Sequence, residues 1–130
     1  MKHLFLAIII AINFPAYAQK EIKVEDAKNH IGDSVTICTK IFGGKYLENS
    51  KGAITLLNAG GNYPNAPLTL VIPGDSRKQF KNKPEDYFAN KAVCVTGKIE
   101  LYKNSPQIVI SNEWQIRELI NDKLIIKEPE

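Results

Sequence analysis

The sequence predicts a small, mostly β barrel: five strands, with a short helix between the third and the fourth. Three observations predict it. Five short runs rich in β-branched residues are punctuated by Gly, Pro and Asn. The segment between the third and fourth runs, residues 73–91, is long enough for a short helix. The segment between the fourth and fifth, residues 100–106 (ELYKNSP), is short enough for a hairpin. The chain has 130 residues, 44% hydrophobic and 24% charged, which is one domain of ordinary globular composition. A multidomain enzyme and a doubly wound nucleotide-binding fold with a separate substrate domain are excluded.

Residues 1–18 read as an export signal. Lys2 supplies the positive start, Leu4 to Ile12 (LFLAIIIAI) is the apolar stretch, and Asn13 and Pro15 break it. Ala16 and Ala18 put small residues at −3 and −1 of a cut before Gln19. The competing reading is an uncleaved anchor, but nine apolar residues are too few to cross ~30 Å of hydrocarbon. No cysteine stands near the cut, so lipid attachment is not indicated. Cleavage leaves residues 19–130 as one domain, soluble and exported to the periplasm or beyond, and puts the barrel at about 31–116.

Residues 20–33 (KEIKVEDAKNHIGD) read as a short strand and a helical turn, closed by a His30-Ile31-Gly32-Asp33 turn. The first barrel strand is Val35–Phe42, with Val35, Ile37 and Ile41 in one phase and Thr36, Cys38 and Lys40 in the other. The second is Ala53–Asn58, and the third is Leu68–Ile72 between two prolines. Their expected outward positions are Thr55, Leu57, Thr69 and Val71. Next, Asp75 is placed to cap a short helix running through Arg77, Lys78 and Phe80. The fourth strand, Ala92–Ile99, sets Val93, Val95 and Ile99 against Cys94, Thr96 and Lys98. The fifth is Gln107–Ser111. Residues 113–127 (EWQIRELINDKLIIK) have helical spacing at Trp114, Ile116, Leu119, Ile120 and Leu124, which predicts a C-terminal helix, with residues 124–126 as a possible strand.

This order of elements matches the five-stranded Greek-key barrel that binds oligonucleotides and oligosaccharides, the OB fold. Another small β barrel or sandwich is the competing architecture. Local motifs agree with the OB match: His30-Ile31-Gly32-Asp33 before the first strand, Val95-Thr96-Gly97-Lys98-Ile99, then Tyr102-Lys103, then Pro106-Gln107-Ile108-Val109-Ile110. Together they resemble the secreted bacterial OB-fold proteins, a loose group similar to the tRNA-anticodon-binding type of OB domain. The resemblance runs from about Ile31 to Ile116 and implies a fold and a nucleic-acid-binding relationship, with no catalytic motif to carry over.

In such a barrel the first and fourth strands are adjacent and antiparallel. Cys38 and Cys94 lie there, both out of phase with the aliphatic residues, so they are expected on the same side of the sheet. Export would expose them to an oxidising compartment, which favours a Cys38–Cys94 disulfide over two free thiols. No C-x-x-C spacing suggests redox catalysis, and two cysteines with one lone His30 make no metal site. No cofactor is implied.

No nucleophile motif and no phosphate-binding loop occurs. Glu85-Asp86 reads as a solvated pair, and His30 has no evident partner for general-base work. The staphylococcal-type nucleases also use an OB barrel, but their arginine and carboxylate set has no counterpart here. The expectation is a binding module and not an enzyme.

Charge is unevenly spread. From Ser34 to Asn112 ten basic residues face five acidic ones, while both flanks are net acidic. The loops that border an OB binding face carry Lys45-Tyr46 and Tyr102-Lys103, a pairing in which Tyr stacks on a base or sugar and Lys meets a phosphate. Candidate ligand-binding residues are therefore Lys40, Lys45, Tyr46, Lys51, Lys98, Tyr102 and Lys103. Expected partners are single-stranded nucleic acid or another anionic polymer; the alternative is an oligosaccharide, a small ligand or an envelope protein. No aromatic residue stands on the second or third strand, and the same loop residues serve equally as solubilising surface. The Arg77–Lys83 cluster reads either as part of a binding surface or as a solvated helix face with Phe80 packed inward.

Overall fold

A computed structural model describes residues 8–11, 20–121 and 123–125. The cut site and most of the expected leader lie outside the described residues, while Ile8, Ile9 and Ile10 are exposed. None of the described helices is long and apolar enough to cross a membrane.

Strand β1 (Lys20–Ile22) pairs parallel with the start of β2 (Ser34–Tyr46). Between them, a 3-10 turn over Val24–Asn29 buries Val24 and Ala27 in the core. A short strand and a helical turn are what the sequence predicts here. Strand β2 is thirteen residues long and runs on past Phe42 to Tyr46. A bulge between Ile41 and Gly43 shifts the register, with Gly43 at φ 144°, a region that glycine enters without steric cost. Before the bulge β2 pairs with β5 (Ala92–Tyr102), and after it with β3 (Thr55–Ala59). Strand β3 pairs antiparallel with β4 (Leu68–Ile72), and β4 parallel with β6 (Ser105–Val109). Strand β6 pairs antiparallel with β5. Each of these five strands thus has two neighbours from the same set, and the pairings run in a ring, β2-β3-β4-β6-β5 and back to β2.

The interior is aliphatic. Val35, Ile37, Ile41, Leu57, Leu68, Leu70, Ile72, Val93, Val95, Ile99, Ile108 and Ile110 are all fully buried. Long strands curl round such a core only where their backbones can approach closely. Gly97 is one such point: a Cβ there would stand 2.6 Å from Ile108 Cγ2. Between β4 and β5 run two single-turn helices, α1 (Gly74–Arg77) and α2 (Pro84–Tyr87). Phe80 leans edge-on against Phe88 and packs on the core, and Lys78, Lys81 and Lys83 are exposed, as a solvated face requires; Arg77 departs from that reading, being largely buried against Glu85. Asp75 does not cap α1. Pro73 is the N-cap residue, and Asp75 is exposed with an ion pair to Lys78.

The C-terminal expectation needs correction. Residues 113–125 do not form a helix. Glu113–Gln115 is one 3-10 turn, followed by β7 (Ile116–Ile120) and β8 (Lys123–Ile125). Strand β7 pairs with β5 through Val95↔Ile116, and β8 pairs with β7. The open edge of β5 offers the chain ladder hydrogen bonds, and that long-range gain outweighs the local 3.6-residue spacing. The possible strand at 124–126 is there in part, as β8; residue 126 lies outside the described residues. Among the described residues the sheet has eight strands: the five of the barrel, the expected short strand β1, and β7 and β8.

Cys38 and Cys94 are directly opposed across β2 and β5 and form a disulfide. The expectation from strand adjacency and phase is met.

Candidate functional site

Directly opposed residues on paired strands share a face, so the register maps the outer wall of the barrel. One row runs Lys45–Leu56–Val71–Val109 across β2, β3, β4 and β6. The next runs Gly43–Asn58–Thr69–Gln107–Glu100 and reaches β5. Beyond it, Tyr102 stands opposite Ser105. The rows follow the curved barrel wall, with four strand-to-strand steps of about 4.8 Å each from β2 to β5. Its charged members are Lys45 and Glu100; the rest are neutral polar or aliphatic.

The phase of β3 is opposite to the one expected. Thr55 and Leu57 point inward and are fully buried, so Leu56 and Asn58 are outward. Thr69 and Val71 are outward, as expected. The strand starts at Thr55 because Ala53, at φ 45°, belongs to the preceding turn.

The loop from β2 to β3 is compact. The Ser50 hydroxyl donates to Leu47 O at 2.7 Å and accepts from the Ile54 amide at 3.3 Å. Lys51 is exposed at its tip, on the Lys45 side of the face. At the opposite corner, β5 and β6 are joined by Lys103 and Asn104 alone, at φ 47° and 62°. Positive φ at both central residues is the type I′ hairpin turn, which holds Tyr102 59% exposed on the last rung of the ladder. The Lys103 ammonium lies 5.4 Å from the Tyr102 ring centre.

The seven residues expected at the site therefore divide. Lys45 and Tyr102 share the face, with Lys51 and Lys103 on the loops at its two ends. Lys40 and Lys98 do not join them. They belong to the β2–β5 wall that carries the disulfide, opposite Ala92 and Ser34, near opposite ends of that ladder. Lys40 lies over the Phe42 ring at 4.9 Å.

Tyr46 turns toward the barrel end, opposite the buried Thr55. The Arg77 guanidinium lies 3.7 Å from its ring centre, donates to Thr55 Oγ1 at 2.7 Å, and forms a two-pronged ion pair with Glu85 at 2.6 and 3.0 Å. Arg77 and Glu85 side chains are only 15% and 13% exposed. Glu85 is therefore not the solvated carboxylate expected; its hydrogen bonds from Arg77 hold it below the usual carboxylate range. His30 also has a partner, since its Nδ1 donates to Asp33 Oδ2 at 3.1 Å.

The missed face residues are Leu56, Asn58, Glu100, Gln107 and Val109. Their signal was the alternation of β3 read one residue later, continued across β6. No group of three or more His, Cys, Asp or Glu side chains among the described residues is arranged to hold a metal ion.

With this geometry in hand, known proteins place the fold. No family model matches the chain, and neither does any curated protein. Solved structures do. A chain described as an aspartyl-tRNA synthetase from Leishmania major superposes with a TM-score of 0.51 at 9% identity, over 93% of this chain and 24% of that one. The aspartyl-tRNA synthetase of Entamoeba histolytica gives a TM-score of 0.50 at 11% identity, over 88% and 23%. The fold is OB-like. This chain spans about a quarter of the length of those synthetases, and at such identity the likeness concerns the fold alone.

Proposed function

We propose that this protein is an exported, non-enzymatic OB-like module that binds single-stranded nucleic acid across the β2-β3-β4-β6-β5 face. The supporting observation is the placement of Lys45 and Tyr102 at opposite corners of one continuous outer face whose middle is almost uncharged. A strand laid across it meets a cation at one end and a stacking ring at the other. Lys51 and Lys103 stand on the flanking loops within a barrel that is net basic from Ser34 to Asn112. The OB-like fold it shares with chains named as aspartyl-tRNA synthetases is compatible with a nucleic-acid partner. The cross-strand disulfide supports export.

Without aromatic residues on β3 and β4, bases find neutral side chains in the middle of the face. Binding should therefore be weak, dominated by phosphates and salt-sensitive. Fluorescence anisotropy with labelled oligonucleotides tests this reading. Measurable affinity that falls with salt is expected; none at low salt would overturn it.

A second reading has an observation of its own. Leu56, Val71 and Val109 form an apolar row on the same face, and such a row suits a protein partner. Salt-independent capture of a partner that Leu56→Lys abolishes would favour that reading.

A further inference from the structure

One large aromatic ring stands outside the face described so far. Trp114 is the chain's single tryptophan and is 58% exposed. A ring of that size is ordinarily buried over most of its surface. Its backbone is held on both sides. It sits in the Glu113–Gln115 turn, where the Gln79 side chain donates to Ser111 O at 3.2 Å and accepts from the Glu113 amide at 3.0 Å. The Gln115 side chain accepts from the Ser111 and Asn112 amides and donates to Thr96 O and Val109 O. Beyond the ring, Arg117 Nε donates to Trp114 O at 3.2 Å. An exposed indole on a backbone tied in this way can meet a ligand without the entropic cost of ordering its own segment.

Its position connects it to the sheet face. Strands β6 and β7 both pair with the edge of β5 that β2 does not use, β6 at residues 99–102 and β7 at residues 93–95. Gln115 closes the fork between them, so Trp114 stands at that corner. Val109, whose carbonyl Gln115 holds, is the last member of the outer row that begins at Lys45. A nucleic-acid strand laid along that row meets the Lys45 cation, then Leu56, Val71 and Val109, and ends at the corner of Trp114. The bond from Arg117 to the Trp114 carbonyl uses Nε, which leaves the rest of the guanidinium fork for a phosphate. Glu113 is the exposed acid of the same turn, and Arg117 offsets its charge.

We propose that Trp114 is a base-stacking ring at this corner and Arg117 its phosphate contact, so that the ligand of the face is a base-bearing single strand and not any anionic polymer. This rests on the nucleic-acid reading of the face. A stacking ring needs an unpaired base, which a duplex withholds and a sulfated or phosphorylated polymer lacks.

The test uses a thymidylate octamer at about 50 mM salt, followed by anisotropy of the labelled strand and by the tryptophan emission of the protein with the unlabelled one. With a single tryptophan, the emission reports this corner alone. Saturable quenching with the anisotropy midpoint is expected, and an abasic octamer with the same phosphates should quench nothing. Trp114→Ala should weaken the thymidylate octamer about tenfold, while Trp114→Phe, which keeps a ring, should recover most of the loss. Heparin, which offers charge without bases, should bind the parent and Trp114→Ala alike. The ring is exposed, so both variants should fold as the parent does. If the octamer binds the parent and Trp114→Ala equally tightly, the proposal is overturned and the nucleic-acid reading survives. If anisotropy shows no binding by the parent, that reading fails and takes the proposal with it.

Discussion

The guanidinium of Arg77 lies over the ring of Tyr46, 3.7 Å from its centre, while its two prongs grip Glu85. One tyrosine of the two Lys/Tyr loop pairs is thus built into the barrel end, and Tyr102 is left as the stacking ring of the face. The Glu85 carboxylate is ionised in this grip and its pKa is lowered from an ordinary 4.5. Stability from the pair should therefore be fully present above about pH 4.5 and be lost as pH falls through the lower, folded-state pKa. Glu85→Gln should flatten that acid limb in urea denaturation measured at several pH values. At pH 7 it should cost about 1–3 kcal/mol, because Arg77 is left half-buried and unpaired.

The Gln115 side chain ties β5 and β6 to the segment that leads into β7. Its Oε1 accepts from the amides of Ser111 and Asn112 at 2.8 and 3.0 Å, and its Nε2 donates to Thr96 O and Val109 O at 3.0 and 3.1 Å. Gln115→Ala removes all four bonds, and the Thr96 and Val109 carbonyls lose theirs in a half-buried setting. A loss of about 2–3 kcal/mol is expected in chemical denaturation, since two of the bonds are half-buried. Hydrogen exchange should quicken first along β7, the strand that starts beside it.

The disulfide closes a sequence separation of 56 residues. Constraining a loop of that length in the unfolded chain is worth about 2–4 kcal/mol. The Cys38→Ser, Cys94→Ser variant should melt about 10–20 °C below the parent by calorimetry. Adding a reductant to the parent should reproduce the shift.

Much of this fold is legible in the residues, and the exceptions share a cause. Val35, Ile37 and Ile41 in β2, and Val93, Val95 and Ile99 in β5, alternate over enough residues to set their phase, which in turn sets the cysteine pair. Strand β3 has only five residues, and Thr55 is a polar residue at an inward position. Its hydroxyl is satisfied by Arg77, 22 residues away, a pairing no local pattern reveals. The same arginine removes Glu85 from solvent. At the C terminus, Trp114, Ile116, Leu119 and Ile120 fit a helix by spacing, yet the edge of β5 is the partner that decides. The turn at Asn121, φ 50°, was the available strand signal. In the candidate site, Lys45 and Tyr102 are expected on loops but stand near the ends of β2 and β5, which run further than their alternation indicates. The rows between them needed the register.

The central claim is that the face between Lys45 and Tyr102 binds single-stranded nucleic acid through its flanking cations. The most direct measurement is the salt dependence of affinity for a labelled oligonucleotide, in the parent and in a Lys45→Ala, Lys103→Asn variant. Asparagine is chosen at 103 because it tolerates the positive φ. Each lost phosphate contact should lower the slope of log K against log salt by about 0.7, so the double variant should fall by about 1.4 and bind more weakly at low salt. No binding by the parent at about 50 mM salt, or an unchanged slope and affinity in the variant, would contradict the account.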